Sequence, residues 1–400
     1  MKLWHKVFLG LILGITFGVY FPQHVETIKP IGTVFLRLIK MVIVPLLFFS
    51  LVSGITGMRD PNSIGRVARK SVLAYLGTTL LAVTFGLGVA FVMEPGKGIV
   101  LEMGKVSEKA GQADFDLLQF FIEIVPSNIF QAFTDSNVLQ VVFFSIFTGV
   151  IINSMDSAAD PIRNFIHSSA KIVLKMISWV VQMSPYAAFA LTAWVIGTQG
   201  IEVLYTLGKL VQAIVLAFIL QYAIYGLIII LFCGLSPIPF YRKSVEYQMI
   251  AMSTGSSKAS LATTMQVCRS RLGVSESSTS FVLPLGASIN MNGLSIKLGL
   301  SVIFFAQVMG VDLSASDYLI IILTGTLGSI GGAGIPGSFI IMLPILLTSI
   351  GLPIEGVALL VGVDRVLDLL STTINITGDA AITLLIDSSE GTLDREMYNA

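Results

Sequence analysis

Near the end of the chain, Asp364, Asp368, Thr372 and Asn375 recur at intervals of four, four and three residues, so one face of a helix would carry all four. Asp379, four residues beyond Asn375, stays on that face. Their neighbours are apolar, and a bare carboxylate at membrane depth is costly enough that a ligand or partner is its expected reason. A second polar group interrupts the apolar run from Phe281 to Met309. There "GASINMNGLSIKLGL" (286–300) places Asn290, Asn292 and Lys297 where a lipid-facing helix would avoid them. Some 85 positions later "TTINITGD" (372–379) repeats the pattern Ser/Thr-Ile-Asn-apolar-Asn/Thr-Gly. Both stretches read as polar kinks in membrane helices, two halves of one site. Hard cations prefer oxygen ligands, and unwound backbone with one carboxylate suits them.

Elements that could hold such groups follow from composition. The 400 residues are 54% hydrophobic and only 12% charged, and mean hydropathy is +0.86. Soluble domains carry roughly twice that charge, so this is a multi-pass, all-α membrane protein. Net charge is zero without a basic patch, which leaves nucleic-acid binding without support. Cys233 and Cys268 read as free thiols, and His5, His24 and His167 as surface or structural residues. No nucleophile–base pair or metal cluster is legible, so the chain does not read as an enzyme.

Windows of spanning length fall at 4–22, 31–55, 71–93, 134–154, 171–197 and 205–233. The first begins "MKLWHKVFLGLILGITFGVYFPQ"; it lacks a small-residue cleavage site and reads as a span, not a removable signal. A polar connection, 96–115, leads to a Pro-broken interfacial segment over 116–133. Arg59, Arg66, Arg69, Lys70, Arg242 and Lys243 fall on one side if the N-terminus is cytoplasmic. After Ser244 the pattern changes. Segment 249–268 is apolar at both ends with hydroxyl residues between, and a re-entrant hairpin returns Arg269 and Arg271 to the cytoplasm. Segment 320–351 repeats the plan around "GSIGGAGIPG" (328–337), which cannot continue a helix. Each hairpin precedes a span with the Ile-Asn motif, 278–309 and 354–387. Hairpin-span, hairpin-span is an inverted-repeat arrangement of the kind secondary transporters use.

At "GSSKAS" (255–260), "PLGASINMNG" (284–293), "GGAGIPG" (331–337) and "NITGD" (375–379) the chain resembles the dicarboxylate/amino acid:cation symporters, which include the glutamate transporters. The resemblance runs from "MVIVPLLFFSLVSGI" (41–55) to Asp379. It implies eight transmembrane helices plus two re-entrant hairpins in an elevator-type homotrimer of the plasma (inner) membrane, against lipid, with both termini cytoplasmic. Residues 1–70 and 94–233 would hold scaffold helices 1–2, scaffold helices 4–5 and helix 6. Helix 3 (71–93), the first hairpin with helix 7 (244–309) and the second hairpin with helix 8 (316–387) would form the moving core, and 388–400 a cytoplasmic tail.

The same resemblance implies a site. Asp368 would bind a substrate ammonium, Thr372 and Asn375 its α-carboxylate, and backbone at Ser256–Ser257 would complete the clamp. One Na⁺ would use Gly286, Asn290, Asn375 and Asp379. A second would use Ser288 with backbone at Ser329, Ile330 and Gly332, and a third Thr78, Thr79 and Asn290. That third site includes a family carboxylate which is Asn292 here, an uncharged ligand. Gly331, Gly334, Pro336 and Gly337 would form the extracellular gate.

Two departures concern the substrate. Acidic-amino-acid members carry an arginine where this chain has Ser371, and a threonine where it has Leu294. Losing a bidentate arginine removes the group best shaped for a second carboxylate. The expectation is therefore a Na⁺-driven symporter of a neutral or small polar amino acid. The alternative is a glutamate/aspartate (dicarboxylate) symporter coupled to Na⁺ or H⁺, and a more distant one an uncoupled channel or receptor. Lys297 has three readings. It supplies the lost positive charge, or replaces a cation by pairing with a carboxylate of the last span, or snorkels into a wet crevice. Lys258, at the serine tip, reads mainly as solvated at the cytoplasmic mouth.

Overall fold

The computed structural model describes residues 3–56, 64–98, 122–135, 137–331 and 337–400, and the regular elements among them are helical. The first half consists of α1 (Leu3–Tyr20), α2 (Val25–Thr56), α3 (Ile64–Met93), a short α4 (Ile129–Thr134), α5 (Val138–Ser154), α6 (Asp160–Gln182), α7 (Ser184–Gln199) and α8 (Val203–Ile228). The second half consists of α9 (Pro237–Thr254), α10 (Ser257–Ser270), α11 (Glu276–Ile289), α12 (Asn292–Val308), α13 (Ala315–Gly331), α14 (Ser338–Ser349), α15 (Val357–Glu390) and α16 (Arg395–Asn399).

This is an all-α multi-pass membrane protein. Five helical stretches are long and apolar enough to cross a bilayer: Pro22–Thr56, Arg69–Met93, Val203–Cys233, Glu276–Val308 and Val363–Glu390. A bent pair, Ser157–Val180 with Ser184–Gln199, makes a sixth if it counts as one span. The windows 4–22 and 134–154 form shorter apolar helices, His5–Tyr20 and Gln140–Ser154. The window 171–197, expected as one span, is instead divided by a 50° bend at Met183. Pro185 explains the division, because it has no N–H to donate and its ring obstructs the preceding turn. Residues 99–121, which include most of the polar connection, lie outside the described residues. Of the interfacial segment, α4 is described, capped by the Asn128 side chain, which accepts from Phe130 N at 2.9 Å.

Burial separates the helices into two kinds. Phe8, Leu9, Phe147, Phe165, Ile219, Leu231 and Phe232 project large apolar side chains outward, a surface suited to acyl chains. The second half of the span Glu276–Val308 is the opposite case, buried almost throughout. This half, α12, packs against α3, α8, α13, α14 and α15, so its polar residues can face only protein.

The two expected kinks come out differently. Between α11 and α12 the chain opens at Asn290 (φ −93°, ψ 93°) and Met291 (φ −117°, ψ 49°), as read from the sequence. The second motif is not a kink, because α15 runs unbroken from Val357 to Glu390. Gly378 is there for space: a Cβ would lie 2.6 Å from Tyr225 Oη and 2.9 Å from Asn290 Nδ2. The glycine that reads as a turn is a point of close helix approach.

Both helix pairs break at glycine. Gly255 (φ 64°) ends α9, and Ser256 caps α10 by accepting from Ala259 N. The ends of that pair meet, since Lys243 Nζ donates to Arg271 O at 2.9 Å. The same ammonium reaches Met397 O (2.9 Å) and Tyr398 O (2.7 Å), docking α16. In the second pair the break starts later than expected. Helix α13 continues through Gly328 to Gly331, since an isolated glycine costs a helix only about 1 kcal/mol. Gly332, Gly334 and Pro336 lie outside the described residues, and Gly337 (φ 81°) precedes α14.

Candidate functional site

Helix α15 carries three members of a chain of four charges, and α12 carries the fourth. Lys297, wholly buried on α12, places Nζ 2.8 Å from Asp364 Oδ1 and 3.6 Å from Asp368 Oδ1. Arg365 places Nη1 3.4 Å from Asp368 Oδ2. Its Nη2 lies 3.4 Å from the carbonyl of Thr254, the last residue of α9. Gly337 N–H approaches Asp368 Oδ2 at 3.4 Å from the start of α14. The tips of both helix pairs therefore converge on Asp368. Buried charges persist only when paired, and here two cations balance two carboxylates. At the start of α10 the Ser257 hydroxyl is buried without a hydrogen-bond partner among the described residues, and Lys297 also lies over the Phe339 ring at 4.6 Å.

The other members of the expected substrate set have mixed placements. Thr372 is on the same face, its hydroxyl turned back to Asp368 O at 2.8 Å. Asn375 is committed to the kink: its Oδ1 accepts from Gly293 N at 2.7 Å and its Nδ2 points to Met291 Sδ at 3.4 Å. Ser371 is a packing position, since a Cβ on Gly293 would lie 2.5 Å from Ser371 O and 2.8 Å from its Oγ. Leu294 is buried beside it. Lys258 is exposed and borders a separate cavity of about 630 Å³ with Ser50, Ser53 and Ser288.

A second pole lies three turns further along α15. Asp379 accepts from Asn290 Nδ2 at 2.8 Å, and that amide also reaches Asn375 O at 3.3 Å. Thr78 Oγ1 approaches Asn290 Oδ1 at 3.5 Å. Gly286 allows this contact: a Cβ there would lie 2.7 Å from Asp379 Oδ1 and 2.5 Å from Tyr75 Oη. Asp379 is 2% exposed and has no ion pair among the described residues. Gly286, Asn290, Asn375 and Asp379 are thus brought together. Asn292 is not part of this group: it accepts from Thr79 Oγ1 (3.1 Å) and donates to Tyr225 Oη (2.9 Å). The hydroxyls of Ser288 and Ser329 bond to carbonyls of their own helices, Pro284 O and Thr326 O. Ile330 and Gly331 end α13.

Three residues that sequence reasoning missed stand in this core. Arg365 was visible as an arginine inside an apolar span, three residues before Asp368, and such a residue is a functional flag by itself. Tyr225 and Tyr75 carried no signal. Each is one aromatic residue in an apolar helix, and only packing shows that their hydroxyls meet Asn292 and Val282 O.

Comparison with known proteins bears on what such a core does. A model of the sodium:dicarboxylate symporter family matches residues 3–389. A C4-dicarboxylate transport protein of Bacillus subtilis is 34% identical over 395 residues, covering 97% of this chain and 94% of its own. One of Rhodospirillum rubrum is 31% identical over 402 residues, 98% of this chain and 90% of its own. A proton/sodium-glutamate symport protein of Bacillus caldotenax is 30% identical over 404 residues, 98% and 95% respectively.

Proposed function

The chain belongs to the sodium:dicarboxylate symporter family, a family of cation-coupled secondary transporters and not of enzymes, and from that premise we propose that it carries an acidic solute. The solute is a C4-dicarboxylate or an acidic amino acid, bound between the tips of the two helix pairs and α15. The observation that carries this reading is Arg365, whose guanidinium lies between Thr254 O and Asp368. It offers a planar, permanently charged donor set for a carboxylate, the group whose absence at Ser371 pointed to a neutral or small polar amino acid. The relatives named above transport dicarboxylates or glutamate, and they support the acidic alternative over that expectation.

Asp379 is the proposed coupling site. A buried carboxylate partnered only by neutral groups wants a mobile cation, with Asn290 Oδ1 and freed kink carbonyls as further oxygen ligands for Na⁺. The same lack of a fixed cation suits a proton, so coupling to H⁺ is the second reading. Both α9–α10 ends meet beside the docked C-terminus, which supports a hairpin that enters and leaves on one side, with cytoplasmic termini. Elevator motion within a homotrimer remains the family's expectation for this chain.

Uptake of labelled succinate, aspartate and serine into proteoliposomes, driven separately by Na⁺ and pH gradients, tests the proposal. Acidic solutes should accumulate under a Na⁺ gradient and serine should not compete. Accumulation under a pH gradient alone would assign coupling to protons. Accumulation of neither acid under either gradient would overturn the reading.

A further inference from the structure

The mechanism above leaves Lys297 without a task, although it is a fully buried charge. It stands mid-helix on α12, at 0% exposure, so it does not snorkel to water. Its ammonium lies 2.8 Å from Asp364 and 3.6 Å from Asp368. Asp368 is the carboxylate that the sequence resemblance assigns to a substrate ammonium. Here it already faces two cations of the protein, with Arg365 Nη1 3.4 Å away on its other oxygen. We propose that Lys297 is a specificity-determining residue, a tethered ammonium that stands in for the amino group of an amino acid. The site then selects an acidic solute that has carboxylates and no amine. This inference rests on the acidic-solute reading above.

Charge and geometry argue for it together. The cluster is balanced without substrate, with Asp364 and Asp368 against Lys297 and Arg365. An amino acid's ammonium would have to approach Asp368 beside Lys297 and Arg365, which already hold both of its oxygens, and in a low-dielectric interior like charges at that distance repel strongly. A dicarboxylate brings no such charge. It meets donors that are not committed: Arg365 and Gly337 N–H hold Asp368 only at 3.4 Å, beyond an ordinary hydrogen bond, and the Ser257 hydroxyl has no partner among the described residues. Cations entering at Asp379 would offset its negative charge. The short Lys297–Asp364 contact anchors the tether, so its ammonium stays in the field of Asp368.

Succinate and aspartate share a four-carbon skeleton and differ by one amino group, which makes them the probe pair. Wild-type protein in proteoliposomes should be half-saturated by succinate at a concentration about tenfold or more below that for aspartate. Lys297→Met keeps the length and removes the charge, and it should lower or reverse that ratio, while Lys297→Arg should retain it. Because Lys297→Met leaves an unbalanced carboxylate, Lys297→Met with Asp364→Asn restores neutrality and keeps Asp368 free. This double variant should prefer aspartate, with a melting temperature near that of wild type. Wild-type preference for aspartate overturns the inference even if both variants misfold, as does an unchanged ratio in a folded double variant. Transport of neither probe would overturn the acidic-solute reading beneath it, a result distinct from transport of both without discrimination.

Discussion

Asp368 and Asp379 stand three turns apart on one face of α15, both buried, yet they have opposite company. Asp368 has two fixed cations within 3.6 Å. Asp379 has an asparagine amide at 2.8 Å and no charge partner among the described residues. A carboxylate with its countercharge built into the chain is already compensated, so its neighbours can be lent to a solute. A carboxylate without one is incomplete until a cation arrives. In the function we propose, the same residue type on the same helix serves recognition at one end and coupling at the other, and the neighbouring helices set the difference.

The sharpest way to break this contrast is Asp379→Asn. Removing the charged partner of a buried cation costs roughly 2–5 kcal/mol, so cation half-saturation should rise on the order of a hundredfold or more. Uptake by exchange in saturating cation would show whether solute binding survives. An unchanged cation dependence would mean that Asp379 is merely structural. Arg365→Met probes the other pole. A hydrogen bond to a charged group contributes about 1.5–3 kcal/mol, so half-saturating dicarboxylate should rise roughly 10- to 100-fold while the cation dependence stays put. Equal shifts in both dependences would join the two poles into one site.

A smaller effect is expected where the poles touch through packing. In Gly378→Ala the new methyl would sit 2.6 Å from Tyr225 Oη and 2.9 Å from Asn290 Nδ2, and both must give way. Overpacking of this kind costs about 1–3 kcal/mol. Melting temperature should fall, and cation affinity should weaken severalfold because Asn290 is displaced from Asp379. A drop in stability with unchanged cation affinity would show that Asn290 is not a ligand.

These residues also mark how far the sequence could be read. The membrane class, the kink at Asn290 and the shared face of Asp364, Asp368 and Asp379 follow from composition and from helical and apolar spacing, which are local properties. The interruption within 249–268 was legible for the same reason, from hydroxyl residues set between apolar ends, and it falls at Gly255 (φ 64°). What could not be read depends on contacts between distant segments. Gly378 reads as a turn until Tyr225, from another helix, is seen against it. Ser371 reads as a lost recognition group, and the cations that stand near it in the core, Arg365 on another turn of α15 and Lys297 on α12, come into view only when the helices are assembled. Charge balance is a property of the assembled core. A motif comparison taken position by position misses it.

The smallest predicted effect concerns Asn292, where the resemblance places a carboxylate and this chain has an amide. Its hydrogen bonds explain why it should add little to coupling: Thr79 donates to its oxygen at 3.1 Å and its amide donates to Tyr225 at 2.9 Å. Both ends are committed to protein and no charge remains for an ion. Asn292→Ala should therefore leave cation half-saturation within about threefold, while stability falls by about 1–3 kcal/mol because two buried hydroxyls lose a partner. Asn292→Asp sharpens the test. The Thr79 hydroxyl can still donate, and the Tyr225 hydroxyl, able to act as donor as well as acceptor, can turn its proton toward the new carboxylate. The substitution would create a second buried carboxylate without a fixed cation, resembling Asp379 more than Asp368. If mobile cations are drawn by uncompensated charge, the Hill slope for the coupling cation should rise in Asn292→Asp and stay constant in Asn292→Ala. A slope that rises in neither variant would mean that charge at this depth is compensated by protein alone, and the contrast between the two poles of α15 would lose its meaning.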